Sequence, residues 1–202
     1  MPIKAVIFDF GGVLLRTEDD AGRRKWEQRL GIECARIEAL VFDSETSRRA
    51  TVGEVDAGEV WAQFARDFGL DAELLESFYA DFWSGDAVNV RLVEFIGSLR
   101  PRYKTAILSN AWSNAREAFI EIYELGGVMD EIIISAEERL AKPDPRIYQV
   151  AVDRLGVMPH EAVFVDDMLA NVEAARALGF CGVHFKDTDQ AIADVQRCLH
   201  SR

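Results

Sequence analysis

Four short stretches of the chain carry side chains whose types suit phosphoryl transfer. They are Asp9, the pair Ser109-Asn110, Lys142 and the pair Asp166-Asp167. Carboxylates from two places in the chain can share a hard cation, and Mg²⁺ prefers oxygen ligands. A carboxylate can also attack phosphorus to form an aspartyl phosphate, while a cation and an ammonium group neutralise the charge of the group in transfer. These residue types therefore predict a magnesium-dependent site in which Asp9 is the attacking carboxylate.

The elements that must position these residues are short β-type runs. The runs are residues 5–8, 105–108, 132–134, 162–165 and 182–185. The first four are nearly continuous apolar stretches, which is typical of parallel strands covered by helices on both faces. Ligands of such open sheets bind beyond the carboxyl ends of the strands. Each of the four stretches with candidate catalytic side chains follows one of these runs. The runs therefore predict that the four stretches converge on one edge of a sheet.

Helical patterns alternate with these runs. Residues 91–99 carry an apolar stripe, residues 145–155 begin with proline after the candidate cap Asp144, and residues 168–178 stop before Gly179. Alternating strands and helices predict an α/β fold with a doubly wound, parallel five-stranded core.

The segment between the first two runs breaks this alternation. Residues 16–88 show no strand pattern but contain amphipathic stretches at 26–30, 37–42, 60–68 and 74–82. The last two repeat the same apolar spacing and are expected to pack on each other as helices. We expect residues 1–15 and 89–202 to form the core and residues 16–88 to form a small inserted helical domain.

The ordered motifs resemble those of a known family. The stretches are Asp9-Phe10-Gly11-Gly12-Val13-Leu14, Ser109-Asn110, Lys142-Pro143-Asp144-Pro145 and Asp166-Asp167. Together they are similar to the four motifs of the haloacid dehalogenase (HAD) superfamily, and the insert resembles its C1-type cap. The resemblance covers nearly the whole chain. Sugar-phosphatase-like members and the phosphatase domain of soluble epoxide hydrolases are the most similar in character.

The resemblance implies how a phosphate group would be held. Asp9 would be the nucleophile, and Lys142 would bridge it to the phosphate. Ser109, Asn110 and the backbone at Gly12 would hold the phosphoryl oxygens.

The resemblance also implies a set of ligands for Mg²⁺. Asp9 and Asp167 would bind the metal directly, Gly11 through its backbone carbonyl and Asp166 through water. Asn171, in the first turn of the following helix, would orient this network.

One position departs from the family pattern. Most phosphatases of the superfamily carry a second aspartate, the general acid and base, where this chain has Gly11. The loss of such a group typically costs about 10² to 10⁴ in rate. The departure favours substrates whose leaving groups need little protonation, such as sugar 1-phosphates or aryl phosphates.

Composition limits the partners and the compartment. The net charge of −12 argues against nucleic acid and anionic lipid as partners, and no apolar run is long enough for a signal peptide or a membrane span. We expect a cytoplasmic monomer or homodimer that acts on a small phosphorylated substrate. The three cysteines, Cys34, Cys181 and Cys198, are scattered and are expected to be buried free thiols.

The leading function is a magnesium-dependent phosphomonoester hydrolase acting on a small metabolite, with sugar phosphates as one candidate class. A 2-haloacid dehalogenase would use Asp9 on carbon without magnesium, and a phosphomutase or a catalytically weak phosphate-binding module are further alternatives. Most aromatic residues of the insert are expected to be core, with Trp26 and Trp112 expected near the mouth of the site. The acidic run 18–20 could relay protons, although a solvated loop is the simpler interpretation.

Overall fold

A computed structural model describes residues 2–200. The strands, in chain order, are β1 (Ala5–Phe8), β2 (Leu15–Thr17), β3 (Asp86–Val88), β4 (Lys104–Ser109), β5 (Glu131–Ile134), β6 (Ala162–Asp166) and β7 (Cys181–His184). The helices are α1 (Ala21–Leu30), α2 (Ile37–Phe42), α3 (Glu45–Thr51), α4 (Ala57–Phe68), α5 (Ala72–Trp83), α6 (Val90–Leu99), α7 (Ala115–Glu117), α8 (Ser135–Glu138), α9 (Pro145–Leu155), α10 (Leu169–Ala177) and α11 (Thr188–His200).

Five strands form one parallel sheet in the order β5-β4-β1-β6-β7. The predicted parallel, five-stranded α/β core is therefore confirmed. β1 lies at the centre, and its register places Phe8 opposite Ile107 on one side and Val165 on the other. Residues that follow these three strands consequently leave the sheet side by side.

Burial on both faces explains why the strands read as continuous apolar runs. Val6 and Phe8 pack into one hydrophobic cluster with α6 and α11, whereas Ala5 and Ile7 pack into another with α9 and α10. Every side chain of β1 is fully buried. Such double coverage leaves the carboxyl edge of the sheet as the place where a ligand is expected to bind.

The boundaries of two core helices follow the predicted caps. α9 begins at Pro145 after Asp144, whose carboxylate accepts a hydrogen bond from the N–H of Arg146, and it ends at Gly156 in a left-handed conformation. α10 ends just before Gly179. The last helix, α11, has no counterpart among the sequence predictions.

Helices α1 to α5, within residues 16–88, supply most of a third hydrophobic cluster, which also includes Trp112. The rings of Phe64 on α4 and Phe78 on α5 stack with centroids 4.4 Å apart. The predicted packing of these two helices is thus confirmed. α3 was not predicted.

Two short strands correct the expectation that residues 16–88 contain no strand. β2 and β3 pair antiparallel, with Leu15 opposite Val88 and Thr17 opposite Asp86, so they form a ribbon where the insert joins the core. Each strand has three residues, which is too short for an alternating pattern to be recognised.

The expectation of three buried free thiols was wrong. Cys181 on β7 and Cys198 on α11 form a disulfide, and Cys34 is exposed. α11 packs on the sheet beside β7 and brings the two cysteines within bonding distance, which their separation of 17 residues does not reveal. Among the described residues, no helix is long and apolar enough to cross a bilayer.

Candidate active site

The carboxyl edge of the sheet brings Asp9, Lys142 and Asp166 together. The Lys142 ammonium lies 2.7 Å from Asp9 Oδ1 and 2.7 Å from Asp166 Oδ2. Asp9 directly follows β1 and Asp166 ends β6, so the parallel register sets them side by side. All three side chains are buried, and the lysine is held between two carboxylates.

Lys142 reaches this position because its backbone is fastened to the end of β4. The side-chain amide of Asn110 donates to the carbonyl of Lys142 at 2.9 Å, and its oxygen accepts from the N–H of Lys142 at 2.8 Å. Asn110 therefore positions the lysine through its side chain, which leaves its backbone N–H as the group that could meet a ligand. Ser109, the last residue of β4, is buried beside it.

The loop after β4 is held by Ser135, a residue that was not predicted to belong to the site. The hydroxyl oxygen of Ser135 accepts a hydrogen bond from the N–H of Ala111 at 3.0 Å. The same hydroxyl group donates a hydrogen bond to the carbonyl of Ala111 at 3.1 Å. A serine after a strand is ordinary in sequence, and only the pairing of β4 with β5 reveals this contact.

Asp167 completes a group of three carboxylates. One oxygen each from Asp9, Asp166 and Asp167 lies within 4.8 Å of the others. Gly12 lies directly against this group, because a Cβ added to it would meet Asp167 Oδ2 at 2.4 Å. Gly12 also has a φ of +76°, a conformation that favours glycine. The backbone at Gly12 thus approaches the carboxylates in a conformation and at a distance that would strain a residue with a side chain.

Asn171 orients the acidic group from the first turn of α10. Its amide donates to both oxygens of Asp166 at 3.0 and 3.1 Å, and the N–H of Met168 donates to Asp166 Oδ1 at 2.8 Å. The phenol of Tyr148 donates to the carbonyl of Asn171 at 2.9 Å. Asp166 is fully buried, and all of these contacts fix its orientation.

Burial dominates the ionisation of the site. It raises the pKa of Asp9 to about 6, with Lys142 acting in the opposite direction and the charge of Asp166 adding to the increase. Burial, together with the charge of Asp166, also raises the pKa of Asp167. Burial lowers the pKa of Lys142, but the charges of Asp9 and Asp166 and the bonds to them outweigh it and hold that pKa above its ordinary value. Lys142 is therefore a cation. The three carboxylates lie close enough together to favour the binding of a second cation.

The structure separates the two tryptophans expected at the mouth of the site. Trp112, three residues after Ser109, packs against the insert and is 9% exposed. Trp26 is fully buried inside the insert, where its Nε1 donates to Asp81 at 2.7 Å, so the expectation that it lies at the mouth was wrong. The acidic run 18–20 is exposed and leads into α1 as a solvated loop.

Comparison with known proteins places this geometry in a family. The family model described as haloacid dehalogenase-like hydrolase matches residues 3–179. The pig bifunctional epoxide hydrolase 2 is 26% identical over 98% of this chain, which spans only 39% of that protein's length. The D-ribitol-5-phosphate phosphatase of Bacteroides thetaiotaomicron is 27% identical over 88% of this chain and 89% of its own.

Two further comparisons are with a solved structure and with a dehalogenase. A HAD family enzyme of Bacteroides thetaiotaomicron, solved in complex with magnesium and inorganic phosphate, superposes with a TM-score of 0.71 at 21% identity, covering 88% of this chain and 91% of its own. The (S)-2-haloacid dehalogenase 1 of Pseudomonas sp. is 34% identical over a shorter region, 55% of this chain and 47% of its own. Because the family model spans most of the chain, this protein belongs to the haloacid dehalogenase-like hydrolases.

Proposed function

We propose that this hydrolase is a magnesium-dependent phosphatase that cleaves a small phosphomonoester through an aspartyl phosphate on Asp9. One observation carries the proposal: Asp9 and Lys142 form a buried ion pair inside a group of three carboxylates. A phosphatase related over nearly its whole length and a similar fold that holds magnesium and phosphate support it.

The donor set fits a divalent cation. Three carboxylates share the site with a single ammonium group among the described side chains that contact them, so negative charge is left over. Hard oxygen donors at this spacing suit Mg²⁺. Asp9, Asp167 and the carbonyl of Gly11 would hold the metal, with Asp166 acting through water. When bound, the metal would neutralise charge on the phosphoryl group and help to orient it.

Residues of the chain itself would perform the remaining catalytic steps. Asp9, anchored through Oδ1 by the N–H of Phe10 and by Lys142, attacks phosphorus as the bond to the leaving oxygen breaks. Lys142 stabilises the charge that develops on the phosphoryl oxygens. Ser109 and the backbone N–H groups of Asn110 and Gly12 hold those oxygens. Water then cleaves the acyl phosphate and restores Asp9.

The same proposal assigns residues 16–88 the role of a cap over the site. Trp112 supports this, since it belongs to the core by sequence but packs into the hydrophobic cluster of the insert. A cap in this position would exclude water and choose the substrate.

The substrate class suggests the cytoplasm, where phosphorylated metabolites are handled. The disulfide between Cys181 and Cys198 argues for a more oxidising compartment, because reducing compartments rarely sustain disulfides. We keep the cytoplasm as the proposal. Fractionation of cells that express the full-length protein tests it, and recovery of the protein outside the cytoplasmic fraction would overturn it.

The experiment that tests the proposed function is a panel of phosphomonoesters assayed with and without Mg²⁺. We expect hydrolysis that requires Mg²⁺ and is abolished by Asp9→Asn, because an amide cannot act as the attacking group. Asp153→Asn is a matched control, since Asp153 is exposed on α9 and contacts only the helix surface. Full activity in Asp9→Asn, or none in the unmodified protein, would refute the proposal.

A dehalogenase remains the second candidate because of the relative that carries that activity. The group of three carboxylates favours the phosphatase, since it suits a cation that a dehalogenase would not use. Release of halide from a 2-haloacid in the presence of a chelator would reverse this preference.

A further inference from the structure

We propose that the leaving group of the substrate is aromatic and that its ring lies against a wall of four side chains, Phe42, Tyr79, Trp83 and Trp112. This inference rests on the proposed function and narrows its substrate to aryl phosphates. Two independent features lead to it: the composition of the surface next to the site, and the residue at position 11.

Trp112 ties the wall to the phosphate-binding end of β4. It stands three residues after Ser109, and its ring lies 5.7 Å from that of Phe42 on α2. Phe42 lies in turn 5.9 Å from Trp83 at the end of α5. The contact between Trp112, in the segment that follows β4, and helices α2 and α5 is therefore built from rings.

Tyr79 extends the wall along α5. Its ring is 6.4 Å from that of Trp83. The wall thus runs from Trp112, three residues after Ser109, through Phe42 to the two rings of α5.

Three of the four wall residues are accessible to a ligand. Phe42 is 39% exposed and Tyr79 is 43% exposed, while Trp83 is half-buried. A polyol phosphate would be recognised by several hydrogen-bonding side chains, whereas this wall offers mainly ring faces and edges, with the Tyr79 hydroxyl and the indole N–H of Trp83 as polar groups. Ring pairs are favourable beyond the area they bury. This surface therefore suits an aromatic group of the substrate.

Gly11 leads to the same class by a separate argument. Without an acidic side chain there, the leaving oxygen must depart with little help from a proton donor. A phenol, with a pKa of about 10 like that of tyrosine, is a far better leaving group than an aliphatic alcohol. A site that binds rings and lacks an acid is matched to an aryl ester of phosphate.

The step balances without another reactant. A carboxylate oxygen of Asp9 forms a bond to phosphorus, and the bond between phosphorus and the aryl oxygen breaks with its electron pair on that oxygen. The aryloxide takes a proton from water. A second water cleaves the acyl phosphate, which yields inorganic phosphate and returns Asp9 to its starting form.

Binding and turnover of four esters test the inference: phenyl, benzyl, cyclohexyl and glycerol 1-phosphate. We expect phenyl and benzyl phosphate to bind to Asp9→Asn with Mg²⁺ at least tenfold more tightly than glycerol 1-phosphate in calorimetry, with cyclohexyl phosphate between them. In the unmodified enzyme, phenyl phosphate should turn over much faster than benzyl phosphate, because only its leaving oxygen belongs to a phenol.

Variants of the wall residues test whether these rings cause the selective binding of aromatic esters. Phe42→Leu and Tyr79→Leu each replace an exposed side chain. They should weaken the binding of phenyl phosphate about 3- to 10-fold and leave the binding of glycerol 1-phosphate unchanged. Phe68→Leu is the matched control: Phe68 also lies in the insert, but its ring meets Phe64 and none of the wall residues. This substitution should change the binding of neither phenyl phosphate nor glycerol 1-phosphate.

The outcomes separate the inference from the proposed function. Mg²⁺-dependent hydrolysis that prefers glycerol 1-phosphate would overturn the aryl class and leave the phosphatase intact. Equal weakening of both esters by the two wall variants would also overturn it. Selective binding of phenyl phosphate without turnover of any ester would support the wall and refute the phosphatase.

Discussion

Position 11 gives the loop after β1 its unusual chemistry at the scale of single residues. A Cβ added to Gly11 would meet no heavy atom within 4 Å, and Gly11 is not among the glycines with positive φ. Its neighbour Gly12 is the opposite case, with no space and a left-handed backbone. Only one of these two glycines is therefore required by the geometry of the loop.

We predict that Gly11→Asp increases the turnover of esters with poor leaving groups, such as glycerol 1-phosphate. The added carboxyl group would supply the missing proton, and general acids contribute about 10² to 10⁴ in rate. Gly11→Asn, of the same size but without an acid, is the matched control and should not increase kcat. The prediction fails if the two variants give the same kcat on this ester.

The ionisation of Asp9 leads to a pH dependence of metal binding. Burial raises the pKa of Asp9 to about 6, so in the absence of metal this carboxylate takes up a proton as the pH falls through 6. A proton and Mg²⁺ compete for the same oxygens. We therefore expect Mg²⁺ affinity to be constant above pH 7 and to fall by up to about tenfold per unit below pH 6. Calorimetric titration at several pH values would measure it, and affinity that holds steady down to pH 5 would contradict the prediction.

Most of the residues that meet at the site could be found from the sequence, because each follows a strand and the strands could be recognised. Asp9, Lys142, Asp166 and Asn171 meet as the motifs imply. Trp26 could not be placed in this way, since its position depends on a hydrogen bond to Asp81, 55 residues away in the insert. No local pattern encodes that contact.

At the scale of elements, the ribbon of β2 and β3 is fastened to α1 by a buried arginine. Arg23 donates to both oxygens of Asp86 at 2.8 and 2.9 Å and to Thr17 Oγ1 at 2.6 Å, and its guanidinium lies 4.6 Å from the ring centroid of Phe82. The side chains of Arg23 and Asp86 are only 7% and 5% exposed. The pairing joins residues 63 positions apart, so neither the ribbon nor its arginine could be inferred from sequence.

We predict that Arg23→Met lowers the free energy of unfolding by about 3 to 5 kcal/mol, because the buried Asp86 carboxylate loses its cationic partner and keeps the hydrogen bond from the Thr17 hydroxyl. Arg24→Met is the matched control on the same helix: its pair with Asp20 is exposed, and such pairs contribute less than about 1 kcal/mol. Urea denaturation of both variants measures the difference. Similar losses in the two would show that the buried pair does not stabilise the ribbon.

At the scale of the whole molecule, the sheet was predictable and the arrangement around it was not. Continuous apolar runs reveal a sheet covered on both faces, and the caps reveal α9 and α10. α11 and its disulfide to β7 depend on contacts between distant segments, as does the way the insert meets the core. One such contact is very close: a Cβ added to Gly53, just after α3, would lie 2.2 Å from the carbonyl oxygen of Ala136 in α8.

Gly53 therefore tests whether the position of the insert against the core matters for activity. Gly53 and Gly69 both have positive φ, +67° and +64°, so alanine costs each a similar backbone strain of about 1 kcal/mol. Only at Gly53 does the new methyl group collide with the core, since a Cβ at Gly69 meets nothing within 4 Å. We predict a larger loss of stability in Gly53→Ala than in Gly69→Ala, and a severalfold increase in KM in the first alone, because α3 must move away from α8. Steady-state kinetics and thermal unfolding of the two variants separate strain from displacement. Equal KM values would mean that activity tolerates a shift of the insert at this contact.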